Sequence, residues 1–172
     1  MKLIKKYLYS VTDSYSEHIR IYHQSPMSRT IFINGGYTRL SFPDMLFSVQ
    51  FNHSCYEHLQ KPNILHLSKF RVAFTDPQLE NIYRVPLPNT FDDVVCLSKK
   101  KHELFHNSQQ LCEILIGDFW SSKFNIEQAD NAYYYPCQYL KNWENIVEGL
   151  YCLAPMTTFD NWVDSVFEEQ PL

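Results

Sequence analysis

Two residues that together suit acyl-transfer chemistry lie near each other in the middle of the chain. Cys96 falls in an apolar run, Val94-Val95-Cys96-Leu97, and Asn89 precedes it by seven residues in a proline-stiffened loop. A cysteine thiolate can carry an acyl group as a thioester. An asparagine amide can donate a hydrogen bond to the oxyanion that forms when an amine attacks that thioester. We therefore predict that Cys96 is a nucleophile and that Asn89 stabilises the oxyanion.

Charged and basic residues beside this cysteine affect how much thiolate it holds. The lysines at 99–101 and the start of the helix that follows would stabilise the thiolate, whereas Asp92 and Asp93 would oppose it. One of these carboxylates could instead help a substrate lysine to lose its proton. His102 and His106 follow the cysteine by six and ten residues. Either histidine could supply a base, and we include His102 among the predicted catalytic residues.

The same segment resembles a known family. Leu87-Pro88-Asn89 and Val95-Cys96-Leu97 are similar to the His-Pro-Asn loop and the Ile-Cys-Leu segment of ubiquitin-conjugating proteins. Residues 119–125 are similar to a downstream Phe-Phe-Asn-Ser-x-Phe stretch in the prokaryotic branch of that fold, which includes the PRTRC system protein B group. The resemblance spans residues 82–125. It implies a UBC-like fold, a ubiquitin-like modifier carried as a thioester on Cys96, and an activating enzyme as a partner.

Two positions depart from the pattern of that family. Leu87 stands where the loop has its histidine, and Asp92-Asp93-Val94 lacks the glycine that is usual in the acidic turn. A second interpretation therefore stays open, in which Cys96 is simply a buried thiol, since free cysteine is among the most buried residue types. The chain would then be a non-catalytic binding or assembly protein, for example of a viral particle or large complex, that retains the fold.

Strand-like patterns run from about residue 18 to residue 95. Alternating, β-branched and aromatic residues predict strands at 18–22, 30–33, 64–67, 70–74 and 82–85, while 45–51 has no clear assignment. Asn34-Gly35-Gly36 predicts a hairpin turn, whose second strand would run from Tyr37 to Phe42. The N-terminal residues are expected to form a further strand rather than a leader, because lysines interrupt their apolar run.

Beyond residue 100 the apolar period changes to about 3.6 residues. This period predicts three amphipathic helices, at about 104–115, 140–151 and 159–167, the last capped by Thr158. Strands followed by helices indicate an α+β fold, an antiparallel β-meander with C-terminal helices packed on one face. We predict that residues 1–172 form a single domain and that Trp143 and Trp162 are buried.

Composition excludes some classes of function. A net charge of -4 is poorly suited to binding nucleic acid through its phosphates, and no apolar run is long enough to span a bilayer. Five irregularly spaced cysteines indicate reduced thiols, and therefore a cytoplasmic protein. The expected partners are proteins: a modifier and its activating enzyme, or assembly subunits.

No cofactor or metal site is predicted. His53, Cys55, His58 and His66 offer zinc-binding atoms, but their spacing matches no common zinc module, which favours an ordinary loop.

Overall fold

The structure is a computed structural model that describes residues 1–12, 15–33, 35–54, 64–87, 90–91, 93–95, 107–124 and 143–168. Strands dominate the described residues up to 95. They are β1 (Lys2–Thr12), β2 (Tyr15–Gln24), β3 (Met27–Ile33), β4 (Gly36–Phe42), β5 (Met45–Ser54), β6 (Ile64–Thr75), β7 (Asn81–Tyr83), β8 (Thr90–Phe91) and β9 (Val94–Val95). Two further short strands follow, β10 (Lys123–Phe124) and β11 (Thr157–Thr158).

Most of these strands form one antiparallel sheet, the main sheet. Its order is β1-β2-β5-β6-β7-β11, and β9 pairs with both β6 and β8. The central strands β5 and β6 are buried on both faces over residues 45–51 and 70–75. A strand that is covered on both faces carries apolar residues at consecutive positions, which explains why 45–51 shows no alternation.

The predicted hairpin is confirmed, but it leaves the main sheet. β3 and β4 pair from Met27 with Phe42 to Ile33 with Gly36, and Gly35 in the turn has a φ of 82°. β10 adds to β3 in parallel, so that these three strands form a separate small sheet. The predicted simple meander is therefore wrong at this point. β2 pairs directly with β5, and the hairpin between them folds away.

Within the described residues, three α-helices follow β9, as the change of period predicts. They are α1 (Ser108–Ser121), α2 (Trp143–Glu148) and α3 (Phe159–Glu168), with a 3-10 helix at Leu150–Cys152. Asn107 caps α1 by accepting hydrogen bonds from the backbone N–H groups of Gln109 and Gln110. The hydroxyl of Thr158 accepts from the Asn161 N–H, which confirms the predicted cap of α3. Over the described residues, every helix is too short or too polar to cross a membrane.

The helices lie on both faces of the main sheet, which corrects the prediction that they pack on one face. α1, α2 and the small sheet cover the face that carries Phe47, Val72 and Phe74. α3 covers the opposite face, where Phe159, Trp162 and Val163 meet a cluster of Ile19, Ile21, Leu46, Ala73 and Ile82. Successive residues of a strand point to opposite faces, so β5 and β6 supply side chains to both layers.

The predicted burial of the two tryptophans is confirmed, one on each face. Trp143 and Trp162 are each 1% exposed. The indole of Trp143 packs edge-on against Phe42 and Phe74 and donates to the carbonyl of Ser41 at 2.5 Å. The indole of Trp162 donates to Asp93 at 2.5 Å. Each tryptophan therefore joins a helix to a strand or loop far away in the sequence.

Candidate functional site

The predicted site residues Cys96, Asn89 and His102 lie outside the described residues, and so do Asp92 and the lysines at 99–101. The site is therefore described through the residues that flank Asn89 and Cys96 in the sequence. Leu87 and Thr90 flank Pro88-Asn89, and Val95 directly precedes Cys96. The elements that hold these neighbours determine where the loop and the cysteine segment begin and end.

The two flanks of the Asn89 loop are held together by Thr90. Its hydroxyl donates to the carbonyls of Val85 at 2.9 Å and Leu87 at 2.5 Å. Its backbone N–H also donates to the Leu87 carbonyl, at 3.3 Å. Leu87 is 4% exposed and belongs to the apolar core. The position that matches the histidine of the family is therefore occupied by a core side chain, which cannot act as a base.

A short antiparallel ladder holds the residue that precedes Cys96. Thr90 pairs with Val95, and Phe91 pairs with Val94. Val94 in turn pairs with Arg71 of the central strand β6, and the carbonyl of Asp93 accepts from the Val72 N–H at 2.8 Å. The residues that directly follow Asn89 and directly precede Cys96 are thus paired with each other and attached to the main sheet.

A buried ion pair, Arg71–Asp93, fixes the start of this segment. Arg71 is 5% exposed and Asp93 is 8% exposed. The Arg71 Nε donates to Asp93 Oδ2 at 2.6 Å, and its Nη2 also contacts that oxygen. The remaining donors of the guanidinium bind α3: Nη1 donates to the carbonyl of Trp162 at 2.8 Å, and Nη2 to the hydroxyl of Ser165 at 3.2 Å. Every nitrogen of this guanidinium has an acceptor.

The Trp162 indole contacts both members of the Arg71–Asp93 pair. Its Nε1 donates to the same Asp93 oxygen that Arg71 binds, and the Arg71 guanidinium lies 4.5 Å from the centroid of its ring. Such a buried pair is stabilising only when its polar atoms are hydrogen-bonded, and here Asp93 Oδ2 accepts from both Arg71 and Trp162. The expectation that a carboxylate here helps a substrate lysine is wrong for Asp93, because its carboxylate is buried and already bound to Arg71 and Trp162.

The same face of the main sheet holds further buried polar groups. Ser48 pairs with Arg71 across the ladder, and Gln50 follows two residues later on the same face. Gln50 donates from its side-chain amide to the carboxylate of Glu17. Glu17 and Gln50 are 6% and 5% exposed. This face is therefore apolar under the first turns of α3 and polar towards the Ser54 end of β5.

The described cysteines offer no activated nucleophile in the core. Cys112 is fully buried in α1, and burial raises the pKa of its thiol to about 11, so it stays protonated near neutral pH. Cys152 is an exposed thiol. Of the possible zinc ligands, Cys55 and His58 lie outside the described residues. Within the part of the chain that the structure describes, no cluster of three or more histidine, cysteine or acidic residues could hold a metal ion.

Sequence reasoning did not identify Arg71 as part of this region. A signal for it exists, because Phe70-Arg71-Val72-Ala73-Phe74 places one arginine inside a continuous apolar strand. Arginine is almost never fully buried unless it is paired, so this pattern indicates a buried acidic partner. The identity of the partner does not follow from the pattern, since Asp93 lies 22 residues further along the chain.

Comparison with protein-family models, with curated proteins and with solved structures gives no match.

Proposed function

We propose that this chain is a ubiquitin-conjugating-like protein that carries a ubiquitin-like modifier as a thioester on Cys96. The observation that carries the proposal is the pairing of Thr90 with Val95. Thr90 directly follows Asn89 and Val95 directly precedes Cys96, so the ladder attaches the two motif segments to each other. Thr90 also closes the base of the Asn89 loop.

The topology around this ladder is consistent with a UBC-like fold. Four antiparallel strands, β1-β2-β5-β6, lie in consecutive order in the main sheet, and the loop segment and then α1 follow them in the sequence. Residues 119–124 of the second motif form the end of α1 and β10. The proposal places the protein in the cytoplasm, where thiols are reduced, with the modifier and its activating enzyme as partners.

Each proposed site residue has a distinct role. Cys96 attacks the activated C-terminal carbonyl of the modifier, and the thiol of the activating enzyme leaves. Asn89 donates to the oxyanion when an acceptor amine attacks the thioester. His102 acts as the base, since Leu87 fills the loop position and Asp93 is bound to Arg71. The Arg71–Asp93 pair is a positioning pair, because it attaches the segment before Cys96 to β6 and α3.

The test is to incubate the chain with a candidate activating enzyme, ATP and a ubiquitin-like protein, and to measure intact mass. The wild-type chain is expected to gain one modifier through a bond that dithiothreitol cleaves. Cys96→Ser should give an oxyester that resists dithiothreitol, and Cys96→Ala should give no adduct. Cys152→Ser is the matched control, since Cys152 is an exposed thiol, and it should behave as wild type.

A non-catalytic binding or assembly protein is the second candidate, and one observation favours it. Tyr151, Leu153 and Met156 expose 44%, 58% and 38% of their surface between α2 and β11. Large apolar side chains exposed at three nearby positions of one segment are typical of a surface that contacts another protein. This candidate predicts no adduct on Cys96 with any modifier. An adduct that survives Cys96→Ala and disappears in Cys152→Ser would also contradict the conjugation proposal.

A further inference from the structure

A cavity of about 430 Å³ lies between β3 and α1, on the other face of the main sheet from the Arg71–Asp93 pair. Its volume falls within the range of small-molecule sites. Its lining includes the side chains of Gln24, Met27, Arg29, Ile116 and Trp120, together with Gly117. Every described residue that lines it is neutral or basic. The lining of the cavity is therefore mostly apolar, and Arg29 supplies a positively charged side chain to it.

Arg29 lies at this cavity, and no described residue forms an ion pair with it. Its side chain is half-buried on the α1 side of β3, and its guanidinium lies 4.6 Å from the centroid of the Trp120 ring. None of the ion pairs among the described residues includes Arg29. Burial lowers the pKa of Arg29 below its usual value, because the guanidinium has lost part of its contact with water. Its planar fork of donors remains available to a ligand.

The Trp120 ring against which Arg29 stacks is held firmly in the core. It is 7% exposed and packs edge-on against Phe42 and Phe119, each with ring centroids 5.0 Å away. Gln24 is 8% exposed, and among the described residues its side-chain amide donates to the sulfur of Met45, at 4.0 Å. A thioether is a weak acceptor, so this amide can donate to a better one.

Gly117 occupies the middle of α1, where glycine is a poor helix former. A Cβ atom at this position would have no neighbour within 4 Å. Packing therefore does not require glycine here. The absence of a side chain leaves this wall of the cavity open.

We propose that this cavity binds a small organic anion, a carboxylate or a phosphate monoester that carries an apolar body. Arg29 binds the anionic oxygens through its paired N–H donors, and Gln24 donates a further hydrogen bond. The apolar body lies against Met27, Ile116 and the ring of Trp120. The site is independent of the thioester chemistry proposed for Cys96.

The test titrates the full chain with hexanoate, benzoate and phenyl phosphate, and follows the indole N–H resonance of Trp120 by NMR together with calorimetry. Hexanol and benzyl alcohol are the controls for the negative charge, because they keep the apolar body without it. Inorganic phosphate is the control for the apolar body, which it lacks. Binding of either the carboxylates or the phosphate ester supports the proposal, and the tighter class identifies the head group. The neutral alcohols and inorganic phosphate should bind at least about tenfold more weakly.

Two variants locate the ligand in the cavity. Arg29→Gln should weaken binding about tenfold or more, whereas Arg39→Gln, an exposed arginine on the neighbouring strand β4, should leave it unchanged. Gly117→Leu should abolish binding while the thermal midpoint does not fall, because leucine favours the helix and fills open space. Equal binding of the neutral alcohols, equal losses in both arginine variants, or unchanged binding by Gly117→Leu would each overturn the proposal.

Discussion

At the scale of single residues, two arginines have contrasting surroundings: Arg71 is buried and paired with a carboxylate, whereas Arg29 is half-buried and has no carboxylate partner among the described residues. Arg71 has an acceptor for every guanidinium nitrogen, and both it and Asp93 are removed from water. Arg29 stacks on an indole and has no carboxylate partner among the described residues. The first arrangement stabilises the fold, and the second leaves donors for a ligand. The two arginines are therefore expected to respond differently to substitution.

Removing one charge of the buried pair should be strongly destabilising. Asp93→Asn keeps the shape of the side chain but leaves the Arg71 cation buried without a counter-charge, so we expect a loss of about 3–5 kcal/mol in the free energy of unfolding. Asp160→Asn is the matched control. The side chain of Asp160 is 84% exposed and lies 3.7 Å from Lys5, so its loss should be at most about 1 kcal/mol. Urea titrations of both variants measure the difference, and similar losses would contradict a structural role for the pair.

At the scale of secondary structure elements, two glycines that both have free space around them should respond with opposite signs. Gly117→Ala should raise the free energy of unfolding by about 0.5–1 kcal/mol, because alanine is the better helix former. Gly35→Ala should lower it by about 1–2 kcal/mol, because Gly35 has a φ of 82° that a side chain disfavours. Chemical denaturation of the two variants tests this directly. A loss of stability in Gly117→Ala would show that its surroundings are more crowded than the structure indicates.

The periodicity of the sequence predicted many of the longer elements, but it gave no clear assignment to β5 and did not show which layer each element joins. Alternation located β2, and the 3.6-residue period located α3, because both patterns come from burial of one face. A hairpin such as β3–β4 has the same alternation whether it extends the main sheet or folds over it. α3 likewise has one apolar stripe, which fits either face of β5 and β6. Only contacts between residues distant in the sequence, such as Arg71 with Trp162, determine the layer.

The candidate site could be predicted only in part, for a related reason. The motif around Asn89 and Cys96 is local in the sequence, so spacing alone can suggest it. The side chains that fix its flanks are not local: Asp93 binds an arginine 22 residues earlier and an indole 69 residues later. The cavity beside Gly117 lies between α1 and β3, which are far apart in the sequence. The feature of the sequence that hints at it is a glycine within an amphipathic helix.

At the scale of the whole molecule, the main sheet lies between two hydrophobic cores. Substitutions in one core should change the free energy of unfolding independently of substitutions in the other. Trp143→Ala and Trp162→Ala should each cost about 3–5 kcal/mol, since each removes a fully buried ring. Additivity is better measured with the milder Phe substitutions. The loss of stability in the double variant Trp143→Phe, Trp162→Phe should equal the sum of the two single losses within about 0.5 kcal/mol, because the two rings lie on opposite faces and belong to different core clusters of the described residues.

A pair on the same face provides the control for that experiment. Trp143 and Phe42 pack with ring centroids 5.4 Å apart, so Trp143→Phe and Phe42→Leu should be coupled by more than about 0.5 kcal/mol. Denaturant titrations of the single and double variants measure both coupling energies, that of Trp143 with Trp162 and that of Trp143 with Phe42. A large coupling between Trp143 and Trp162 would show that the two layers form a single cooperative core.

The position of α3 at the end of the described chain has a consequence for synthesis on the ribosome. Arg71 leaves the ribosome 91 residues before Trp162, whose carbonyl accepts from its guanidinium. At typical elongation rates this interval lasts roughly 5–20 seconds. During that time the apolar side chains of Ile19, Ile21 and Ala73 lack the helix that covers them in the folded chain. Elongation past Trp162, rather than pairing of the strands, therefore sets the earliest moment at which a nascent chain can close this core, and it defines a period in which chaperones can bind.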